Sequence, residues 1–331
     1  MTTLRIGMIS FAHGHAFAYF HALRRMPGIE ISGIADPERG RVQSLTDEFG
    51  IRYFADYEQL LALGLDAVVI CSENALHAEH AIAAARSGAH VLCEKPLGIT
   101  PEQMDAMILA CRDQSVQLMT AFPCRYLPAV REAKRLIDQG EIGDIVAIKG
   151  TNRGTFPGGW FVRPELSGGG ALLDHTVHVM DLMHWITGAK ADTVYAYAAN
   201  LFQPGLDVDD AGMLHVRFDS GAIGVIDTSW SRQAPFPTWG DVTMEITGTR
   251  GSLFVDALAQ KNEVYSRSAD QGRWDYWGDD MDTHMIQAFI DAIRSGKPVP
   301  ISGEDGRRAA LVALTGYRSI EAGRAIPLIE A

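Results

Sequence analysis

Asp174 and His178 stand four positions apart in a segment that the sequence predicts to be helical. Residues with this spacing lie on the same face of a helix, so a carboxylate and an imidazole can act together there. Neutral imidazole is the side chain best suited to remove a proton near neutral pH. The carboxylate could hold the imidazole or bond a neighbouring hydroxyl. The pair therefore suits the removal of a hydroxyl proton.

Lys95 follows a short apolar strand in the segment HVLCEKPLGIT, residues 90–100. Parallel sheets bind ligands at the carboxyl ends of their strands, so the ammonium is expected to point into a ligand crevice. A positive charge there would stabilise the alkoxide that forms as a proton leaves. We predict His178 as general base, Lys95 as electrostatic anchor and Asp174 as orienting residue. Alternatively, Lys95 and His178 share or exchange the proton role.

The first 120 or so residues alternate strand-like and helix-like segments with short connections. This alternation predicts an α/β architecture with a parallel, doubly wound sheet. The predicted strands are residues 4–10, 30–35, 51–54, 67–70, 90–93 and 117–121, and the predicted helices are residues 16–25, 39–49, 76–87 and 101–114.

After Phe122 the pattern changes to helices followed by consecutive strands joined by turns. The hairpin signal VRFDSGAIGVID is the plainest of these turns. This half is predicted to be α+β with an open, mostly antiparallel sheet. The predicted helices are residues 128–139, 170–187, 282–294 and 307–322, and the predicted strands are residues 191–200, 209–218, 223–231, 241–248, 251–256 and 262–266.

The loop after the first strand departs from the G-x-G-x-x-G dinucleotide fingerprint. Its aligned residues are Ser10, Phe11, Ala12, His13, Gly14 and His15. All three glycine positions are occupied by other residues, although serine and alanine are small enough for a phosphate to approach the backbone. Asp36 ends the second predicted strand, where a carboxylate would bond a ribose hydroxyl and repel a 2′-phosphate. This favours NAD over NADP, unless Asp36-Pro37 merely begins a turn.

Several ordered motifs resemble the Gfo/Idh/MocA (glucose-fructose oxidoreductase/inositol dehydrogenase) family over nearly the whole chain. They are the Glu94-Lys95-Pro96 segment, the preceding Asn74-Ala75-Leu76-His77, the later Arg125-Tyr126-Leu127-Pro128 and Gly140-Glu141-Ile142-Gly143, the run GGGALLDHTVHVMDLMHWITG (residues 168–188) and the closing segment 292–301. The lysine of the family's E-K-P motif is Lys95, and its D-x-x-x-H pair is Asp174 and His178. His175 departs from the family pattern, where a small or apolar residue is commoner.

The resemblance implies two domains: an NAD(P)-binding Rossmann domain over residues 1–122 and a substrate-binding and oligomerisation domain over residues 123–331. It implies hydride transfer from a hydroxyl-bearing carbon of a sugar, inositol or related polyol to nicotinamide. Expected cofactor contacts are Ser10, Phe11, Ala12, His13, Gly14, His15, Asp36, Ser72, Asn74, His77, Glu94 and Lys95. Expected substrate contacts are Lys95, Arg153, Trp160, Asp174, His175 and His178. A homodimer or homotetramer through the second sheet is expected.

Several roles stay open at this stage. The helix that carries Asp174 and His178 also holds His175, Asp181 and His184, a set that can ligate zinc. The resemblance explains the first two without a metal, so no metal is expected, and Asp181 and His184 are predicted to be hydrogen-bonding residues. His13 and His15 could add metal ligands from the loop, bond phosphate, touch substrate or pack. His77 could pack, cap its helix or contact the cofactor. A redox-neutral NAD-dependent glycosidase or lyase, or a non-catalytic nucleotide- or sugar-binding regulator, is the alternative function.

The bulk composition agrees with an enzyme of small molecules. The 331 residues carry a formal net charge of −12, which disfavours nucleic acid and anionic membranes as partners. Four cysteines without a C-x-x-C pair, Cys71, Cys93, Cys111 and Cys124, favour reduced thiols in the cytoplasm. The N-terminus enters a strand too early for a signal peptide, and the sequence contains no apolar run long enough for a membrane span.

Overall fold

The structure is a computed structural model that describes residues 3–267 and 272–328. The chain divides into two compact units. Unit 1 holds residues 3–123 and Asp282–Arg307, and unit 2 holds the remaining described residues. In the part of the chain described, no helix is long and apolar enough to cross a membrane.

The elements are numbered in chain order. The helices are α1 (His15–Arg25), α2 (Arg39–Phe49), α3 (Tyr57–Leu61), α4 (His77–Arg86), α5 (Pro101–Asp113), α6 (Pro128–Asp138), α7 (Pro164–Ser167), α8 (Ala171–Thr187), α9 (Met281–Ser295) and α10 (Gly303–Ala322). The strands are β1 (Leu4–Ile9), β2 (Ile29–Ala35), β3 (Tyr53–Phe54), β4 (Ala67–Ile70), β5 (His90–Cys93), β6 (Leu118–Thr120), β7 (Ile145–Thr155), β8 (Ala191–Ala199), β9 (Ala211–Phe218), β10 (Ile223–Arg232), β11 (Gly240–Gly248), β12 (Ser252–Asp256), β13 (Lys261–Val264), β14 (Arg273–Tyr276) and β15 (Ile326–Pro327).

Unit 1 is built on a six-stranded sheet in the order β3-β2-β1-β4-β5-β6. The five pairings are all parallel, which confirms the predicted doubly wound sheet. All four residues of the β4 strand Ala67–Ile70 are buried, as expected for a strand covered on both faces. The short helix α3 was not predicted, because five residues are too few for a helical period to show. The carboxyl ends of β1, β2 and β5 lead directly to Ser10, Asp36 and Glu94.

Unit 2 contains a seven-stranded sheet in the order β12-β11-β7-β10-β9-β8-β15. The sheet is mixed, because β7 and β10 pair in parallel while the other five pairings are antiparallel. The mostly antiparallel sheet is thus confirmed. The prediction was incomplete, however, since it missed β7 at the centre of the sheet, where Gly150, Asn152 and Gly154 have low strand propensity. Strand β13 pairs with the unpredicted β14 in a separate two-stranded sheet.

Helix α8 packs closely on one face of this sheet through glycines of β7. A Cβ on Gly150 would lie 2.3 Å from Cγ1 of Val179, and one on Gly154 would lie 2.7 Å from Cε1 of His175. Both distances are too short for any side chain, so glycine is what allows the helix to approach. Most of α8 is buried, and this close contact fixes the distance between its polar residues and the sheet.

Candidate functional site

The loop after β1 is held by the carboxylate that ends β2. Ser10 has a positive φ of 64°, the left-handed conformation for which the dinucleotide fingerprint normally uses glycine. The amide of Phe11 donates to Oδ2 of Asp36 at 2.7 Å, and the Ser10 hydroxyl donates to the same oxygen at 3.3 Å. The amide of Ala12 donates to the Ser10 hydroxyl oxygen at 3.1 Å. The loop therefore makes its sharp turn without glycine, with Asp36 as its anchor.

Asp36 also lies on an acidic cavity at this edge of the sheet. Its side chain is almost fully buried, and Oδ1 accepts a hydrogen bond from the amide of Glu38 at 2.8 Å. The cavity has a volume of about 280 Å³. Its lining includes Ser10, Asp36, Asp56, Tyr57, Glu73, Glu79 and His80. Arg41 lies 3.5 Å from Asp36 and 3.4 Å from Glu73, so two of the four carboxylates have a cationic partner. The remaining negative charge favours a ligand with hydroxyl donors.

Glu94 is a buried carboxylate surrounded by hydrogen-bond donors. Oε1 accepts from the Tyr19 hydroxyl at 2.5 Å and lies 3.1 Å from Nδ1 of His15, while Oε2 accepts from the amide of Lys95 at 3.0 Å. The rings of His13 and His15 are 4.2 Å apart between centroids. The structure thus brings the two histidines of the loop onto the carboxylate that precedes the predicted catalytic lysine.

Opposite effects act on the protonation of this cluster. Burial raises the pKa of Glu94, but the charges of His13, His15 and Lys95 outweigh burial and hold that pKa well below its usual range. Burial lowers the pKa of His15. The charge of Glu94 and its hydrogen bond to His15 outweigh this effect, so the pKa of His15 is raised overall. Because 36% of the His15 side chain is exposed, solvent screens part of this interaction. The carboxylate is therefore ionised at neutral pH and favours a protonated neighbour.

Lys95 and the loop between β4 and α4 lie beside this cluster in unit 1. Lys95 is 4% exposed, and its peptide bond to Pro96 is cis. The ring of His77 is fully buried, with Nδ1 2.9 Å from the carbonyl of Pro96 and Nε2 3.1 Å from the carbonyl of Ser72. Burial lowers the pKa of His77. His77 therefore ties two loops together, which is the packing role that the sequence left open. Ser72 and Asn74 are also buried.

The glycine run before α8 fits against Asp209. The amide of Leu172 donates to Oδ2 of Asp209 at 2.7 Å, which satisfies one of the free amides at the start of the helix. A Cβ on Gly170 would lie 1.8 Å from the carbonyl oxygen of Asp209. The Tyr317 hydroxyl donates to Oδ1 of Asp209 at 2.7 Å. This packing explains the run and fixes the position of Asp174 in the first turn.

Asp174 is held by residues from both the helix and the sheet. The indole of Trp230 donates to Oδ2 at 3.0 Å, and Nε2 of His175 lies 3.3 Å from the same oxygen. Nδ1 of His175 lies 2.9 Å from the carbonyl of Asn152. The structure brings Asp174, His175 and Trp230 together, and His178 follows one turn later on α8, 5% exposed. This arrangement can orient a carboxylate and an imidazole for proton transfer.

The polar residues later on α8 have structural partners. Arg125 forms two hydrogen bonds with Asp181, from Nε to Oδ2 at 2.8 Å and from Nη2 to Oδ1 at 2.6 Å. Nε2 of His184 accepts from the amide of Ala191 at 3.3 Å. Burial, followed by the charges of Arg308 and Arg125, lowers the pKa of His184 to about 3. The prediction that Asp181 and His184 are hydrogen-bonding residues is confirmed.

Arg153 and Trp160, the two other predicted substrate residues of unit 2, differ in their relation to Asp174. Arg153 alternates with Gly154 along β7 and so projects from the opposite face of the sheet, where its guanidinium lies within 3.8 Å of Asp227 and 3.6 Å of Asp241. The structure does not bring it to Asp174. Trp160 lies in a 3-10 turn and stacks on Phe161 at 3.9 Å. Phe161 in turn packs on the cluster that contains Trp230.

Sequence reasoning missed the partners that hold these groups. It gave no role to Tyr19 and no specific role to Trp230. Tyr19 lies 75 positions from Glu94, and Trp230 lies 56 positions from Asp174. Contacts so distant in the chain leave no spacing pattern. One signal in the sequence could have found Tyr19. It follows His15 by four positions in α1, and this spacing places both residues on the same face of the helix.

Comparisons with known proteins agree along the whole chain. The profile of an oxidoreductase family with an NAD-binding Rossmann fold matches residues 4–122, and that of the GFO/IDH/MocA C-terminal domain matches residues 130–254. Myo-inositol 2-dehydrogenase from Thermotoga maritima is 30% identical, over 99% of each chain. scyllo-Inositol 2-dehydrogenase (NAD(+)) from Bacillus subtilis is 30% identical, over 94% of this chain and 93% of its own. The solved structure of levoglucosan dehydrogenase with NADH and levoglucosan is 27% identical, with a TM-score of 0.86 over 99% of this chain and 100% of its own.

Proposed function

The chain belongs to the Gfo/Idh/MocA family of oxidoreductases, and from that premise we propose that it is an NAD-dependent dehydrogenase of a sugar, inositol or related polyol. The reaction moves a hydride from a hydroxyl-bearing carbon while the hydroxyl loses its proton. The relatives that match along the whole chain act on inositols and on levoglucosan by their names. The observation that carries the proposal is the Asp174 carboxylate, fixed by Trp230 one turn before His178 at the family's D-x-x-x-H positions.

Unit 1 has the features needed to hold NAD. The acidic cavity beside Asp36 suits the hydroxyls of a ribose, and its carboxylates would repel the 2′-phosphate of NADP. The loop of residues 10–15 runs from the carboxyl end of β1 to the start of α1, the place where a pyrophosphate binds in such folds. Ser72, Asn74, Glu94 and Lys95 complete the proposed cofactor contacts. Bound NAD would supply the acceptor for the hydride.

The catalytic roles follow from the chemistry of each side chain. We assign His178 as the general base that takes the hydroxyl proton. Lys95 stabilises the developing alkoxide, or shares the proton with His178. Asp174 orients the imidazole or a neighbouring hydroxyl, and His175 and Trp160 are assigned to the substrate side. A buried helix carrying both Asp174 and His178 keeps these two groups in fixed register, as catalysis requires.

A second copy of the chain is the proposed partner. The face of the unit 2 sheet opposite α8 exposes a set of large apolar side chains. They are Tyr197, Met213, Ile223 and Phe254, which are 68%, 48%, 56% and 64% exposed. An apolar sheet face of this kind favours burial against an identical face in a homodimer or homotetramer. The four buried cysteines carry free thiols, which supports the proposed cytoplasmic location.

The deciding experiment measures NAD reduction by the purified protein against a panel of sugars, inositols and their acids. Lys95→Ala and His178→Ala are expected to lower turnover by roughly 100-fold or more, because each removes a group that acts on the reacting hydroxyl. NAD affinity, measured by calorimetry, should stay within a few-fold in His178→Ala, which removes no proposed cofactor contact. Lys297→Ala and His21→Ala, at an exposed and a partly exposed position, are the matched controls.

Unchanged turnover in both active-site variants would discard the mechanism. Tightly held cofactor without net NADH production would favour a redox-neutral reaction.

A further inference from the structure

His13, His15 and Glu94 place two imidazoles and one carboxylate around a single point in unit 1. One ligand atom from each residue lies within 4.8 Å of the other two. The Nδ1 of His15 and Oε1 of Glu94 are 3.1 Å apart. In a tetrahedral zinc site with bonds of 2.0–2.1 Å, neighbouring ligand atoms are about 3.4 Å apart. Small side-chain movements would therefore bring all three atoms to metal-binding distance.

We propose that His13, His15 and Glu94 form a binding site for one divalent transition metal ion of the zinc class. Two histidines and one glutamate are a donor set that zinc uses where a coordination position stays open to water or substrate. The H-x-H spacing follows β1 and the glutamate follows β5, so the donors come from two strand ends at one edge of a rigid sheet. A site supported in this way needs little ordering when the ion binds.

The surroundings supply the supporting contacts that metal ligands usually have. The Tyr19 hydroxyl and the amide of Lys95 donate to the two oxygens of Glu94 and fix the orientation of the carboxylate. Glu94 and His13 are 1% and 6% exposed, whereas the His15 side chain is 36% exposed. The base of the site is thus buried and one side is open, which gives an ion a path from solvent.

Existing contacts oppose metal binding, and the proton held between Nδ1 of His15 and Oε1 of Glu94 must leave before the ion binds. Nδ1 of His13 accepts the amide of His15 at 3.2 Å, at the long end of the hydrogen-bond range. Binding through Nε2 would put the proton of His13 on Nδ1, and this long contact would be lost. Because the contact is weak, it does not outweigh coordination of an ion by three side chains.

This inference goes beyond the proposed dehydrogenase reaction and does not depend on it. The sequence alone led us to expect no metal, since the closeness of Glu94 to His13 and His15 is visible only in three dimensions. An ion here would carry positive charge to the cofactor edge of the sheet and could bind a substrate oxygen in its open position. The two proposals can therefore fail separately.

The test is a titration of full-length, chelator-treated, NAD-free protein with Co²⁺, followed by visible absorption. We expect one Co²⁺ per chain, absorption bands of low-symmetry Co²⁺, and displacement by one equivalent of Zn²⁺. His13→Ala, His15→Ala and Glu94→Gln should each weaken binding by roughly 100-fold or more, since each removes a ligand. His21→Ala, on the same helix α1 and outside the cluster, should bind as the parent does.

The readout separates this proposal from the first. Thermal unfolding shows whether each variant is folded. If a histidine variant does not fold, Glu94→Gln still tests the proposal, because it keeps the shape of the side chain. Absence of stoichiometric Co²⁺ binding by the parent would overturn the proposal. Equal binding by the parent and the three ligand variants would overturn it as well. NAD reduction measured on the parent would still decide the dehydrogenase function in either case.

Discussion

The indole Nε1 of Trp230 donates a hydrogen bond to Oδ2 of Asp174 at 3.0 Å, across the interface between β10 and α8. Trp230 is 2% exposed and packs with Ala171 and Val208 in a buried apolar cluster. Water therefore has little access to the donor side of this bond. The carboxylate that we propose to be catalytic is positioned by a residue far away in the sequence.

Trp230→Phe should lower kcat because it removes this donor and keeps most of the packing. Loss of a hydrogen bond to a charged group costs about 1.5–3 kcal/mol, which corresponds to roughly 10–100-fold in rate. Steady-state kinetics with the substrate found in the screen would measure it. Trp239→Phe, at a site that is 39% exposed, is the control and should act like the parent. If kcat is unchanged in Trp230→Phe, the indole does not position Asp174.

Local relations between residues could be predicted from the sequence, whereas contacts between distant elements could not. Asp174 and His178 could be predicted because their relation is local, one turn of one helix. The parallel sheet of unit 1 could be predicted because fully buried strands are continuous apolar runs. Strand β7 was missed because its glycines, which admit α8, weaken the strand pattern. Tyr19 and Trp230 were missed because their contacts depend on how separate elements pack.

Asp36→Asn should shift cofactor preference towards NADP. The change removes a negative charge from the acidic cavity and keeps an oxygen that can accept the Phe11 amide. The ratio of NADP to NAD affinity should rise roughly tenfold, which corresponds to about 1.4 kcal/mol. Calorimetric titration with both nucleotides would measure the ratio. Asp47→Asn, on the exposed side of α2, should leave it unchanged. An unchanged ratio in both variants would mean that Asp36 acts only as the anchor of the loop.

Gly14 and Gly170 should differ sharply in their tolerance of alanine. Gly14 has an ordinary helical φ of −60°, and a Cβ there would meet no atom within 4 Å. We expect Gly14→Ala to change the free energy of unfolding by less than about 1 kcal/mol. Gly170→Ala would drive a Cβ into the backbone of Asp209 and should cost about 3 kcal/mol or more. Urea denaturation measures both values. Similar costs would contradict the described packing of the glycine run.

Asp181→Asn should strongly destabilise unit 2. Arg125 and Asp181 are 8% and 1% exposed, so removal of one charge leaves the other buried and unpaired. Such a loss costs about 3–5 kcal/mol. Replacement of both partners, Arg125→Met with Asp181→Leu, should recover much of that stability, because no charge then remains buried. A double variant as unstable as the single one would show that the pair has another role.

His184 should make the protein less stable in mild acid. The pKa of this group is about 3 in the folded chain, lowered by burial and then by Arg308 and Arg125, against 6.5 when unfolded. Above pH 6.5 the group is neutral in both states and has no effect. As the pH falls below 6.5, only the unfolded chain takes up the proton, so stability decreases until the folded group titrates near pH 3. At pH 5 the loss from this one group is about 2 kcal/mol.

His184→Gln should remove this part of the pH dependence, since the side-chain oxygen of glutamine can reach the position of Nε2 and accept the Ala191 amide, and glutamine does not titrate. Urea denaturation at pH 7.5 and pH 5 gives the free energy of unfolding of parent and variant. The loss between the two pH values should be smaller in the variant by about 2 kcal/mol. His80, whose pKa burial lowers to about 4, titrates in both proteins and leaves a common residual slope. His21→Gln is the control, because its ring lies outside this environment. An equal loss in parent and His184→Gln would show that His184 gains a proton in the folded chain as readily as in the unfolded one.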